Sequence, residues 1–213
     1  MTETPHRRFW EQVGGASDYD AEWKKKILKH VSKILRKQNI SIGNTVLDLG
    51  SGPKPISQYI VPKESKVLYV DFNAPIEGHA HAQHLHINRD IRDVLDQKST
   101  AAIRSRVRAA KFLGIDAHNS QPEQVDTAIV SDVLNYIPAE ETLRQVYNHL
   151  KKGGIMIILN KPDRTFAYSE HALHPKGAKS NEELTRFCKE SLGMLPFYVE
   201  TTKEHYLIAV FQK

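Results

Sequence analysis

The sequence predicts a doubly wound α/β domain, and three observations carry that prediction. Residues 45–49 form a short apolar strand with an acid, Asp48, and run straight into Gly50-Ser51-Gly52-Pro53. Nineteen residues beyond Gly52, a second apolar strand ends on another acid, Asp71. Near the far end, residues 197–201 and 205–211 alternate as strands and are separated by Thr202-Lys203-Glu204. A connection that short joins only antiparallel neighbours.

The elements follow in order. Residues 1 to about 41 read as a helical extension, in which Gly14-Gly15 separates a short segment from a basic helix. In that helix Trp23, Ile27, Val31 and Ile34 or Leu35 recur at helical spacing, so the lysines between them form a solvated face. Gly43 and Asn44 turn the chain into strand one, residues 45–49. A helix is expected over residues 55–60 with Pro62 ending it, and strand two over residues 67–71. His84-Leu85-His86-Ile87-Asn88 alternates and leads to Asp90 and Ile91, as a third strand delivering an acid would. Asp116 is the rival for that acid; the interval from Asp71 favours Asp90. A helix is expected over residues 99–113. Strand four covers residues 127–131, and residues 138–150 form a helix opening with proline and acids. Gly153-Gly154 is expected to cap that helix, ahead of strand five at residues 155–159. A last helix over residues 182–192 ends at Gly193, before the closing hairpin.

Two adjacent parallel strands that each deliver a carboxylate beside a glycine turn form a nucleoside-binding crevice. Glycine matters because no Cβ keeps the backbone from the ligand. The run lacks the third glycine of G-x-G-x-x-G, so a dinucleotide site is disfavoured. An acid just before the glycines would repel a pyrophosphate and suits a cationic amino group. Asp71 would accept the hydroxyls of a ribose. A nucleoside with an amino-acid tail and no phosphate, S-adenosylmethionine, fits this pattern best.

Four blocks, residues 46–53, Asp71, residues 125–134 and residues 150–158, stand in the order and spacing that resembles the class I S-adenosylmethionine-dependent methyltransferases. The resemblance runs from about Thr45 onward and departs at Lys54, where the family usually has glycine. It implies a Rossmann-like, mostly parallel seven-stranded sheet closed by a C-terminal antiparallel hairpin. It further implies cofactor contacts from Asp48, Gly50, Ser51, Gly52, Pro53, Asp71, Phe72, Asn73, Asp90, Ile91, Asp132, Val133 and Leu134. The segment Ser131-Asp132-Val133-Leu134-Asn135-Tyr136 lacks the Asn/Asp-Pro-Pro-Tyr/Phe motif of enzymes that methylate base or glutamine amino groups. It looks like the small-molecule branch, with Tyr136 able to pack on a ring substrate.

In the same family the N-terminal extension often folds over the site. Phe9, Trp10 and Tyr19 supply aromatic surface for such a lid, Tyr19 towards the cofactor and Trp10 towards the acceptor. The loop over residues 160–180 carries Phe166, Tyr168, His171 and His174 at the same end of the sheet. Phe166 and Tyr168 are candidates for a substrate wall, and His171 or His174 for a general base. His79, His81, His84 and His86 invite a metal, but no cysteine is near and strand alternation would place only His84 and His86 on one face. A solvent-facing histidine run is the expectation, with no metal.

Composition bounds the rest. A chain of 213 residues makes one domain able to bury about 70% of its unfolded surface. No apolar run approaches a membrane span and no signal-peptide pattern is seen. The single cysteine, Cys188, excludes an internal disulfide and suits a cytoplasmic protein. It is expected to be a small buried hydrophobe. The net charge of +5 and pI near 9.2 leave open an RNA or protein substrate, through the basic helix and Arg104, Arg106, Arg108 and Lys111. A non-catalytic cofactor-binding module is a further alternative. A small-molecule acceptor is preferred, with nucleic acid disfavoured and a monomer or homodimer expected.

Overall fold

The computed structural model describes residues 21–52, 55, 57–71, 84–88, 91, 112, 125–161, 174, 176–178, 180–203 and 206–213. Seven strands lie in one sheet: β1 (Thr45–Leu49), β2 (Lys66–Asp71), β3 (His84–Asn88), β4 (Val125–Ser131), β5 (Leu150–Asn160), β6 (Leu195–Thr201) and β7 (Leu207–Gln212). Their order is β3-β2-β1-β4-β5-β7-β6. The first five run parallel, and β7 is antiparallel to both β5 and β6. The expected hairpin is therefore present, with its second strand inserted into the sheet interior.

Strand alternation sorts the side chains into two cores. Val46, Val67, Tyr69, Ile129 and Ile157 pack on one face with Ile27, Val31, Ile34 and Leu35 of helix α1 (Ala21–Lys37). Lys26, Lys29, Lys33, Arg36 and Lys37 are exposed, as helical periodicity requires of the opposite stripe. On the other face Leu47, Leu49, Val130 and Ile158 meet Leu143 and Val146 of helix α2 (Ala139–His149). The same core takes Leu184 of helix α3 (Asn181–Arg186) and Phe187 and Cys188 of the wider π turn that continues it to Ser191. Ser180 caps α3 by accepting from Glu183 N at 3.1 Å. Cys188 is buried as expected, and burial pushes its thiol up to about 12. No helix among the described residues is long and apolar enough to cross a membrane.

Three expectations are corrected. The helix expected over residues 55–60 is a single 3₁₀ turn, Ser57–Tyr59, closed by Ile60 N and Val61 N donating to Ser57 O at 3.0 and 2.8 Å. Pro62 lacks the N–H that continuation of the helix would need, so the turn ends there. Gly153-Gly154 does not cap α2, because that helix stops at His149 and β5 begins at once. The two glycines instead lie in a bulge: Val125 pairs with Leu150 and Thr127 already with Ile155. Gly153 sits at φ +78, and a Cβ on Gly154 would lie 3.0 Å from Asp126 O, so both positions need glycine. The histidine run is not solvent-facing at His84 and His86. Both are partly buried around Tyr69, His86 stacked on it at 4.5 Å and His84 edge-on at 5.4 Å.

Asp126 binds the start of β4 to that of β1. Its Oδ2 accepts from Thr45 N (2.9 Å) and Thr45 Oγ1 (2.8 Å), and Lys151 Nζ donates to Oδ1 at 2.8 Å. Burial pushes this carboxyl up, but the donors from Lys151 and Thr45 outweigh it and hold it below its ordinary 3.8. A folded pKa below the unfolded one contributes stability above 3.8, and that contribution fades as pH falls through the folded value. Asp126→Asn is thus expected to cost about 1 kcal/mol at neutral pH. In urea melts well below that pH the difference from wild type should vanish; a difference independent of pH would refute the account.

Candidate functional site

The carboxyl ends of β2, β1 and β4 are neighbours, and the strand order reverses between β1 and β4. Crevices for ligands open at such a reversal, beyond the carboxyl ends. Gly50 and Gly52 take φ of +74 and +60, the left-handed region that side chains disfavour. Gly50 N donates to Val70 O at 3.0 Å, which ties the turn to β2. Gly52 N donates to Asp71 Oδ2 at 2.8 Å. The acid at the end of β2 and the glycine turn after β1 are therefore one hydrogen-bonded unit.

Asp48 pairs in register with Tyr69, and Asp71 lies two residues further along β2, so both carboxylates belong to the same face. Asp48 is fully buried, and the Ser57 hydroxyl donates to its Oδ2. Burial pushes the Tyr69 phenol up to about 12; the bond with Ser57 works against that and the negative Asp48 adds to it. Ser57 and Tyr69 thus build a small polar cluster around Asp48 beneath the glycine turn. The cluster escaped the sequence reading, since nothing marks a serine nine residues on as a partner.

Beyond β4 the chain turns sharply at Asp132, at φ +50. Asp132 N donates to Leu159 O at 2.8 Å, and its Oδ2 accepts from Tyr206 Oη at 3.0 Å. Val133 lies against the glycine turn: a Cβ at Gly50 would be 1.9 Å from Val133 Cγ1 and 2.4 Å from Ser131 O. Leu134 and Ile91 are buried in the apolar core, and Ser51 is buried within the turn. Tyr136 is partly buried, its N donating to Val133 O at 2.9 Å.

Asn135, which the sequence reading did not single out, organises the next layer. Its Nδ2 donates to Lys161 O at 2.5 Å, and its Oδ1 accepts from buried Asn160 at 3.1 Å. Its carbonyl accepts from His174 N at 3.0 Å, while Ala178 N donates to Leu134 O at 2.7 Å. The end of the loop after β5 is thereby seated on the loop after β4. Gly177 is needed there, since a Cβ would lie 2.3 Å from Asn135 O. His174 Nδ1 accepts from Lys176 N at 3.0 Å, which places the proton of a neutral ring on Nε2. In that tautomer the ring offers a donor, and no lone pair, to anything beyond Nε2. The signal for Asn135 and Asn160 was their position, each a polar residue at or just past the carboxyl end of an apolar strand.

Trp10, Tyr19, Pro53, Phe72, Asn73, Asp90, Phe166, Tyr168 and His171 lie outside the described residues, as do Asp116 and nearly all of the helix expected over residues 99–113. The strand leading to Asp90 is in place, pairing parallel to β2 with Asn88 opposite Asp71.

No protein-family model matches the chain, and no curated protein sequence resembles it significantly. Solved structures do. The 1,6-didemethyltoxoflavin-N1-methyltransferase of Burkholderia thailandensis, with S-adenosylhomocysteine bound, is similar over 97% of this chain and 86% of its own, at 15% identity and a TM-score of 0.64. The N-methyltransferase NodS of Bradyrhizobium japonicum, in complex with S-adenosylhomocysteine, is similar over 99% of both chains, at 15% identity and a TM-score of 0.64. The [4+2]-cyclase SpnF is similar over 92% of this chain and 84% of its own, at 11% identity and a TM-score of 0.60. With its mostly parallel seven-stranded sheet and inserted antiparallel β7, the chain has the Rossmann-like fold of the class I methyltransferases.

Proposed function

We propose that the chain is an S-adenosylmethionine-dependent methyltransferase that transfers a methyl group to an oxygen or nitrogen of a small organic acceptor. The observation that carries this reading is the bond between Gly52 N and Asp71 Oδ2, at the reversal of strand order. A nucleoside site needs an acid for the ribose and bare backbone beside it, and here the two are already joined. Asp71 would take the ribose hydroxyls, with Gly50, Ser51 and Gly52 along the tail and Ile91 near the base. Asp48 favours a cationic amino group through its charge.

When bound, S-adenosylmethionine supplies an activated methyl on a positively charged sulfur. The chain's own part is to hold the acceptor in line with that methyl and to exclude water. Positioning of this kind can contribute roughly 7–11 kcal/mol, so no covalent help is needed. On this reading the end of the loop after β5, hydrogen-bonded to the loop after β4 through Asn135, would be the surface that an acceptor rests against.

Calorimetry with S-adenosylhomocysteine, followed by transfer of a labelled methyl to a panel of small amines and hydroxyl compounds, tests the reading. Binding with turnover of at least one acceptor is expected. A wild-type protein that does not bind the nucleoside would overturn it. Tight binding with no transfer would favour a different use of the fold, of which the cyclase is an example.

A further inference from the structure

We infer that Tyr206 is a positioning residue that holds Asp132 as the acid facing the methyl-transfer point, so that the crevice favours a positively charged donor over its neutral product. The inference rests on the methyltransferase reading above. Asp132 follows the strand next to β1, on the β4 side of the strand-order reversal. Tyr206 is fully buried and reaches from the start of β7, across β5, to donate to Asp132 Oδ2 at 3.0 Å. The Asp132 backbone is fixed as well, by its bond to Leu159 O and by a left-handed φ of +50 that aspartate tolerates better than most residues. The carboxylate is therefore oriented before any ligand arrives.

The loop that carries Asp132 touches the glycine turn through Val133 and Ser131, so turn and acid share one wall. Asp71, at the end of β2, is two strand spacings from the end of β4, about 10 Å. That is the span of a nucleoside whose ribose rests on Asp71 and whose sulfur points towards β4. Before transfer that sulfur is a cation. In the transfer the acceptor's lone pair forms a bond to the methyl carbon as the C–S bond breaks, that bond's electron pair stays on sulfur, the acceptor's proton passes to solvent, and the thioether left behind is neutral. A fixed carboxylate at this end attracts the first species and not the second. The same side chain that retains the donor thus lets the product go.

A purely structural Tyr206 would pin the end of β7 and affect both ligands alike. The test compares affinities for sinefungin, which carries an ammonium where the sulfonium would be, and for S-adenosylhomocysteine. Asp132→Asn removes the charge and keeps a residue at ease in the left-handed region; Tyr206→Phe removes only the donor. Asp132→Asn is expected to lower the sinefungin-to-S-adenosylhomocysteine preference about tenfold, and Tyr206→Phe by about threefold. An unchanged preference in Asp132→Asn, or equal weakening of both ligands in Tyr206→Phe, would overturn the inference. If Tyr206→Phe does not fold, Asp132→Asn alone decides. Wild-type protein that binds neither ligand would instead sink the nucleoside reading beneath it.

Discussion

Asp71→Ala is expected to weaken S-adenosylmethionine binding by at least a hundredfold while leaving the protein folded. Two ribose hydroxyls donating to one carboxylate are hydrogen bonds to a charged group, each contributing about 1.5–3 kcal/mol, and the pair together accounts for that loss. The substitution also releases Gly52 N, which donates to Asp71 at 2.8 Å and helps hold the turn that the cofactor must approach. Asp71 is only partly buried at the mouth of the sheet, so its removal leaves no cavity in the core. Calorimetry on the variant, with circular dichroism to verify the fold, checks the result. Unchanged affinity in a folded variant would remove Asp71 from the site.

The second large effect is on stability. Gly50→Val places a β-branched side chain at φ +74, which costs roughly 1–2 kcal/mol for an L-residue. It also drives the new Cβ to 1.9 Å from Val133 Cγ1 and 2.4 Å from Ser131 O, and the second of these is backbone that cannot swing aside. Overpacking of this kind adds about 1–3 kcal/mol. The sum, about 2–5 kcal/mol, is a large share of the 5–15 kcal/mol that a domain usually has. Urea melts should show a markedly lower midpoint for Gly50→Val. A midpoint within error of wild type would mean that the turn after β1 is not packed against the loop after β4.

The strands are legible in the sequence as short apolar or alternating runs, although β5 begins five residues before its apolar run, and β1 keeps the boundaries that its flanking glycines announce. The lysine stripe of α1 was equally legible from its period. Legibility failed where one residue type serves two geometries. Gly153-Gly154 after a helix reads as a cap, yet the same positive φ serves a bulge, and only the pairing of β5 with β4 decides between them. The turn at Ser57 depends on proline spacing that also allows a short helix. The placing of Asp48 and Asp71 beside the glycine turn was readable because strand, acid and glycine are local in the chain. Tyr206 was not: it meets Asp132 across 74 residues of sequence, and no local pattern encodes that meeting.

The central pairing of β1 with β4 joins segments 81 residues apart, Thr45 to Asp126. Such distant parallel contacts form late in folding, because loop closure must come first. The glycine turn belongs to one side of that seam and Asp132 to the other. On the proposed reading, a nucleoside lodged between them would act as a clasp on the whole molecule, raising its resistance to unfolding by about 2.7 kcal/mol at a hundred times its Kd. Cellular supply of that small molecule would then govern how long each copy of the chain survives proteolysis.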